Sequence, residues 1–590
     1  MKFQYNTAKP LNEYSVPEGK GFARLDRKTI AKDIPCQEAC PAKTNVPGYI
    51  EAIAQGDNDR AYRINQECNV FAGVLGRICT RPCESRCRHQ WTNIQGPVDI
   101  CHLKRYAADH VKQKATPLDP WIEQKSGKTI AVVGGGPAGL TAARELHRLG
   151  HTVTVFERED HLGGMMIDGI PAFRLPPDVV RNEISLIIDA GIEVRYKSNV
   201  DKHRMQQLAD EYDAVLLAAG TMLPNTLSLP GLDESVECFD GLDFMKQYNS
   251  NCISDLKGNF VIIGGGFTAV DCARSCARAA KRIVGDDGDV SIMYRRSEHF
   301  MSADSTELEE IEKENVAVRT LVTPVSVTSA HGKITSATFR RNMLSSEPFS
   351  GKPKIIPVEN SEFTLDCDHL IVAIGQQQEW DILPGGIELK ENHRTSCKNL
   401  FAAGDFETGS NDVIHAVAEG RSAALAIDRF LTGEERLETY VKVETTSQDG
   451  DTGRVRDHDL QVPRHMPLLP MFDRAVDNNE VETGYHDDDG LVNATRCYFC
   501  HYKFEIDQDK CIHCDWCIQA APRECIKKVS RVFEDKDGAA TSVVEANLSR
   551  EGTYIWIDSD NCIRCGKCLR VCPTEAISMK RTTLTTCAKH

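Results

Sequence analysis

At 590 residues the chain exceeds the length over which one hydrophobic core keeps growing, so three or more domains are expected. Lys and Arg number 70 against 86 Asp and Glu, a net charge of −16 that disfavours a phosphate-backbone partner, so no nucleic acid is expected. The start, MKFQYNTAKPLNEYSVPEGK, has no apolar export segment, and no run of about 18 apolar residues occurs; a soluble cytoplasmic protein without a membrane span is expected.

The first 120 residues read as short helices and turns, as in NVPGYIEAIAQGDNDRAYRINQ with Ile50, Ile53 and Ala54 at helical spacing. Cysteines punctuate the connections. Twenty-four cysteines in a short secreted chain would suggest disulfides, but in a long chain without an export segment they read as metal ligands. Their clustering favours that reading: seven lie between Cys36 and Cys101, ten between Cys497 and Cys572, and six in the long stretch between.

The texture then changes. KTIAVVGGGPAGLTAARELHRLGHTVTVFERED is an apolar strand, a glycine turn, an amphipathic helix and a second strand. In Gly134-x-Gly136-x-x-Gly139 the first glycine permits the turn, the second lets backbone approach a pyrophosphate, and the third lets helix meet strand. Glu157 ends the second strand, where a carboxylate meets ribose hydroxyls. HLGGMM follows, with Gly163 and Gly164 offering another close approach.

A parallel sentence recurs about 130 residues later at GNFVIIGGGFTAVDCARSCARAAKRIVGDDGDVSIMYRRSE, implying a second dinucleotide-binding domain. Gly264-x-Gly266-x-x-Ala269 repeats the fingerprint with alanine at the packing position. Its second strand ends Tyr294-Arg295-Arg296, with no acid for a ribose 2′-hydroxyl; two planar guanidiniums suit a 2′-phosphate. NADP(H) is expected over NAD(H), which stays open. Cys272 and Cys276 on this helix are spaced C-x-x-x-C and read as packing residues.

Farther on, NLFAAGDFETGSNDVIHAVAEGRSAALAIDRFL ends a strand in Gly404-Asp405 and starts a helix whose positive end faces an electron-rich ring. Residues 440–496 are polar and proline-punctuated and read as an extended linker. The last 90 residues carry two cysteine runs around a hairpin-like insertion. Cys562, Cys565, Cys568 and Cys572-Pro573 form the C-x2-C-x2-C-x3-C-P run whose fourth cysteine ligates the other cluster. Cys511, Cys514 and Cys517 then take Cys572. The partner set Cys562, Cys565 and Cys568 needs a ligand from position 521, which is Ala521. Either Cys525 closes that site through a longer loop, or the site holds a three-iron cluster or a non-cysteine ligand. Cys497 and Cys500 form a further C-x-x-C, open as ligand pair or structural turn.

The early GxGxxG, the late Gly404-Asp405 and its helix resemble the two-dinucleotide-domain flavoproteins, in which the first loop holds FAD and the late Asp meets the ribityl chain. PCQEACPAKTNVPGYI and GRICTRPCESRCRH resemble the helical iron–sulfur domain of the glutamate synthase small subunit and of dihydropyrimidine dehydrogenase. That resemblance implies a cluster on Cys40, Cys79, Cys83 and Cys87, and leaves Cys36, Cys68 and Cys101 for an altered site with a non-cysteine fourth ligand. It covers nearly the whole chain, which is thereby identified as similar to glutamate synthase small-subunit-like oxidoreductases with a ferredoxin tail, among them the iron–sulfur flavoprotein linked to dissimilatory sulfite reductase.

The expected fold class is multidomain α/β with two Rossmann-like domains. Residues 1–120 form a helical iron–sulfur domain, 121–255 and 365–439 the two parts of an FAD domain, 256–364 an NAD(P) domain, 440–496 the linker, and 497–590 a ferredoxin-like two-cluster domain. The cofactors implied are FAD, NADP(H) and three [4Fe–4S] clusters, with a fourth left open. Hydride exchange between NADP(H) and FAD needs no side-chain acid or base, so no catalytic residue is named. The expected partner is a protein electron donor or acceptor: a sulfite reductase, a ferredoxin or another metalloenzyme subunit, with a homo-oligomer left open. The rival reading is an electron-transfer or assembly subunit of a glutamate synthase or formate dehydrogenase type complex with an idle nicotinamide site.

Overall fold

The computed structural model describes residues 34–92, 95–113, 116–253, 257–279, 288–303, 305–345, 353–383, 388–446, 461–474, 478–534, 540–546, 554–558 and 561–589. It divides into two compact units, one made of Ile122–Gly433 with Met466–Thr483, the other of the described parts of Met1–Trp121, Glu434–His465 and Gly484–His590. No described helix is long and apolar enough to cross a membrane.

The first of these units holds two parallel five-stranded sheets. In one, Thr129–Val133 is central, flanked by Thr152–Phe156 and Ala214–Leu217, with Glu193–Arg195 and Leu400–Ala402 outermost. Its apolar run is almost wholly buried, as a parallel strand covered on both faces must be. In the other, the order is Phe239–Asp240, His369–Ala373, Phe260–Gly264, Val290–Tyr294 and Val316–Thr320. A short ladder pairing Leu223–Pro224 with Gln376–Gln377 lies where the chain leaves the first sheet and returns to it.

This topology corrects the expected boundaries at 255 and 364. Phe239–Asp240 pairs with Ile371 and Val372, and His369–Ala373 runs beside Phe260–Gly264. The second domain therefore takes in both strands. Leu370, Ile371 and Val372 of the latter are buried between its two neighbours.

An ion network fastens the same unit. Glu314, fully buried, accepts from Arg274 Nη2 at 2.9 Å, from Arg278 Nη1 at 2.8 Å and from Arg474 Nη1 at 3.2 Å. Burial alone would push this carboxyl up; the guanidiniums of Arg274 and Arg278 override it and hold it at about 2. Arg278 also lies 3.7 Å from the centroid of the Phe173 ring.

The other unit combines short helices with two antiparallel sheets. Val46–Ala54, Asn58–Asn69, Ala72–Ile78 and Ile100–Asp109 carry the N-terminal cysteines or pack beside them. Ile577–Ala588 is the centre of a three-stranded sheet between Leu437–Thr445 and Tyr502–Ile506. Leu437–Thr445 falls partly where an extended linker was expected. The alternation Tyr440, Val441, Lys442, Val443 has the strand period of two, and Val441 is buried; residues 447–460 lie outside the described residues. Between the cysteine runs, Ile526–Glu534 pairs antiparallel with Ala540–Glu545 and with Tyr554–Ile557.

Candidate functional site

The first glycine loop joins Thr129–Val133 to the helix Pro137–Arg148. Gly134 has φ +108°, and a Cβ there would lie 2.4 Å from the Ala218 carbonyl oxygen. At Gly139 a Cβ would fall 2.0 Å from Gly134 O, so helix and strand touch through bare backbone. Gly136 differs: a Cβ there meets nothing within 4 Å. Backbone is bare at this point with open space before it, and the helix N-terminus points there, which is the cradle a pyrophosphate needs. Gly164 closes in from the other side, its ideal Cβ 3.3 Å from Gly136 Cα, and Gly163 N–H donates to Gly135 O at 2.9 Å.

Glu157 is buried, and its carboxylate accepts from Gly135 N–H at 2.7 Å and Glu159 N–H at 2.9 Å. It thus shapes the loop, and a carboxylate has lone pairs left for a ribose. Gly404, φ +68°, packs against Ala138, where a Cβ would be 2.7 Å from the Ala138 Cβ. That contact brings Asp405 beside the start of the loop helix. Burial above all pushes the Asp405 carboxyl up to about 7. The long helix Val413–Thr432 follows, capped by Asp412 accepting from His415 N–H at 3.0 Å, and crosses the loop helix where Gly420 leaves room for Ala138 O.

The second loop repeats the first. A Cβ on Gly264 would lie 2.3 Å from Ala373 O, the counterpart of Ala218, while a Cβ on Gly266 would meet only Ser302 Oγ, at 3.4 Å, an ordinary contact. Ala269 is fully buried at the packing position. Tyr294 lies against Gly265 and donates to Phe300 O at 2.7 Å. Arg295 is exposed; Arg296 is half-buried, and its Nε is buried with no hydrogen-bond partner. A cation held there with an unused donor fits a phosphate. Cys272 and Cys276 are buried among apolar side chains of this helix's core.

The strand-end turns at Gly220, φ +68°, and Gly375, φ +101°, were not singled out from the sequence. The signal was present: LLAAGT and IVAIGQ are two apolar runs ending alike, each beside the carbonyl that covers a loop glycine.

Among the described residues no three His, Cys, Asp or Glu side chains converge on a point that would hold a single metal ion. The cysteines instead surround spaces. Cys511, Cys514, Cys517 and Cys572 line one cavity with Ile506, Ile555 and Ile577. Cys525 lies beside Cys562 and near Cys565 and Cys568. Ala521 ends the helix Trp516–Ala520, and a 3-10 turn at Pro522–Glu524, with Arg523 at φ +62°, carries the chain on to Cys525. The extra turn thus separates position 521 from Cys525, which sits beside the Cys562 run. Both runs place left-handed residues between their cysteines, His513 and Asp515 in one, Arg564 and Gly566 in the other. Such alternation turns successive N–H groups inward, an anion nest suited to a cluster.

The N-terminal cysteines fall into two adjoining groups, and the grouping differs from the expected one. Cys79 lies beside Cys101, and Cys83 lies near both Cys40 and Cys101. Buried Lys104 sits among Cys79, Cys101, Cys83 and Cys40, a counter-charge for thiolates, with Nζ also donating to Asn69 Oδ1 at 3.3 Å. Cys87, expected in this group, instead lines a cavity with Cys36, Cys497 and Cys500. Burial pushes the Cys36 thiol up, and Cys500, Cys87 and Cys497 add to it. Cys101 thus leaves the set with Cys36 because its helix, Ile100–Asp109, packs on Ala72–Ile78 and turns its sulfur to Leu75 O at 3.2 Å. Cys68 is half-buried on Asn58–Asn69 and is not among the residues lining the Cys36 cavity.

Residues 128–420 match the pyridine nucleotide-disulphide oxidoreductase family, 17–116 the dihydropyrimidine dehydrogenase domain II with a 4Fe-4S cluster, and 555–578 a 4Fe-4S binding domain. The chain is 34% identical over 508 residues to the NADP(+)-dependent formate dehydrogenase subunit beta of Moorella thermoacetica, covering 79% of this chain and 70% of that one. It is 30% identical over 516 residues to the NADPH-Fe(3+) oxidoreductase subunit beta of Geobacter sulfurreducens, covering 79% and 75%. The glutamate synthase [NADPH] small chain of Azospirillum brasilense is 30% identical over 450 residues, covering 69% and 89%.

Proposed function

Because the chain belongs to the glutamate synthase small-subunit-like NAD(P)H oxidoreductases, iron–sulfur flavoproteins that use FAD and NADP(H), we propose that it exchanges electrons between NADP(H) and a metalloenzyme partner. The observation that carries this reading is the duplicated loop. Gly134 under Ala218 O and Gly264 under Ala373 O give two cradles built alike within one compact unit.

Bound in the first cradle, FAD supplies the conversion between two-electron hydride chemistry and one-electron cluster chemistry. The chain's own part is to hold and orient. Gly136 and Gly164 admit the pyrophosphate to bare backbone, Glu157 meets the adenosine ribose, and Asp405 meets the ribityl chain. In the second cradle Gly264, Gly266 and Ala269 admit the nicotinamide nucleotide, and Arg295 with Arg296 grips its 2′-phosphate. Cys511, Cys514, Cys517 and Cys572 hold one [4Fe–4S] cluster, Cys525, Cys562, Cys565 and Cys568 a second, and Cys40, Cys79, Cys83 and Cys101 a third. The redox partner is a protein: the relatives named above are subunits or chains of larger enzymes, and a sulfite reductase is the partner that the resemblance to the sulfite reductase-linked flavoprotein implies. The direction of flow follows from the cluster potentials, which protein environment moves over hundreds of millivolts.

The test is reduction of an artificial one-electron acceptor by NADPH with the purified full chain, beside a Gly136→Val variant. Turnover by the wild type that disappears together with bound flavin in the variant is expected. Failure of the flavin-loaded wild type to turn over would remove the nucleotide from the electron path.

A further inference from the structure

We propose that Cys36, Cys87, Cys497 and Cys500 hold a further iron–sulfur cluster, completed by ligands from both ends of the chain. The four thiols line one cavity whose other walls include Val46, Pro47, Val98 and Ile100. All four cysteines are free and buried. The apolar wall suits a cofactor that must be kept from water, and Arg88, 2% exposed, stands in the same wall as a counter-charge.

The backbone of the Cys497 pair carries a second, independent sign. Phe499, immediately before Cys500, has φ +50°; His513, immediately before Cys514, has φ +55°, and Arg564, immediately before Cys565, has φ +59°. Non-glycine residues take such angles only a few per cent of the time. The three C-x-x-C turns therefore share one uncommon conformation, and in two of them it belongs to ferredoxin-type ligand runs. Phe499 N–H also donates to Cys497 Sγ at 3.4 Å, as Ala576 N–H does to Cys572 Sγ at 3.3 Å.

The segment around the pair is fastened to the N-terminal helices on both sides. Arg496, fully buried, donates to Gln95 O at 3.1 Å and Pro97 O at 3.2 Å. The Tyr498 ring lies 5.0 Å from that of His89. Beyond the pair, Tyr502 donates to Glu51, and Arg581 Nη2 reaches the same carboxylate at 2.7 Å. These bonds fix where the two sulfurs sit before any iron arrives. Cys36 and Cys40 leave opposite ends of one helical turn, as Cys83 and Cys87 leave one loop, so each pair serves two adjoining groups. A C-x-x-C pair from the far end of the chain thus fills out an otherwise two-cysteine site.

The experiment measures iron, acid-labile sulfide and zinc per chain in the anaerobically purified full-length protein, with the spin count of its reduced clusters. Four clusters require about sixteen irons. The Cys497→Ser, Cys500→Ser double variant is expected to lose about a quarter of the iron and one reduced-cluster signal, with flavin content and the other signals retained. Cys36→Ser, at the opposite end of the chain, is expected to remove or alter that same signal. About twelve irons in the wild type would overturn the proposal, as would one zinc per chain held by the four thiolates or variants that keep all the iron. The wild-type stoichiometry decides the matter even if a variant fails to fold.

Discussion

Gly134 and Ala218 are in such close contact that the glycine's missing Cβ would stand 2.4 Å from the carbonyl oxygen of the neighbouring strand end. The same relation holds between Gly264 and Ala373 at 2.3 Å. Each nucleotide cradle is therefore built from a strand end as well as from its glycine loop.

This separates two kinds of glycine. Gly134→Ala forces backbone apart at a left-handed position and is expected to lower stability by about 1–3 kcal/mol or more. Gly136→Val places its side chain in open space, so the melting temperature of the flavin-free protein should barely move while flavin retention collapses. Thermal unfolding and flavin absorbance, measured on both variants, check the contrast.

The exposed Arg295 and half-buried Arg296 are assigned to the 2′-phosphate. Hydrogen bonds to charged groups contribute roughly 1.5–3 kcal/mol each, so losing two of them in Arg295→Ala with Arg296→Ala should cut kcat/KM for NADPH by about a hundredfold or more and leave NADH nearly unchanged. An unaltered ratio of the two would remove the assignment.

Cys525 is assigned as the ligand in place of Ala521. Cys525→Ser should leave the flavin in place and convert one cluster to a three-iron form or lose it. Electron paramagnetic resonance of the oxidised protein reads this directly, because a three-iron cluster is paramagnetic there. An unchanged spectrum with full iron would point to another ligand.

Glu314 joins Arg274, Arg278 and Arg474 in one buried network. Its folded value of about 2 lies below its unfolded one near 4.5, so the stability it contributes is present above about pH 4.5 and is lost as pH falls toward 2. Glu314→Gln takes the carboxylate from buried Arg278, while Arg274 keeps Glu307 and Arg474 keeps Glu310, and should cost about 3 kcal/mol at neutral pH. Denaturant unfolding at pH 7 and pH 4 should show the difference between variant and wild type shrinking in acid.

The two glycine loops were legible in the sequence because their determinants are local: glycine spacing, a strand before and a helix after. Cys525 was nameable for a similar reason, being four residues beyond the vacant position. The grouping of the N-terminal cysteines was not legible. Cys36 and Cys40, like Cys83 and Cys87, are four apart, a spacing that does not say which cavity each faces; packing of Ile100–Asp109 on Ala72–Ile78 decides it. Cys497 and Cys500 meet Cys36 only through long-range folding, fixed by Arg496 and Glu51. The strand Leu437–Thr445 reads in part as linker because its polar residues hide a period-two apolar face whose partner, Ile577–Ala588, comes more than a hundred residues later.

The central claim is that nucleotide electrons reach the clusters. An anaerobic titration of the full chain with NADPH, and separately NADH, following flavin absorbance and cluster electron paramagnetic resonance together, tests it most directly. The expected result is bleaching of the flavin by NADPH with reduced-cluster signals appearing as electrons redistribute. A flavin that stays oxidised under excess NADPH, or one that bleaches with every cluster remaining silent, would contradict the account.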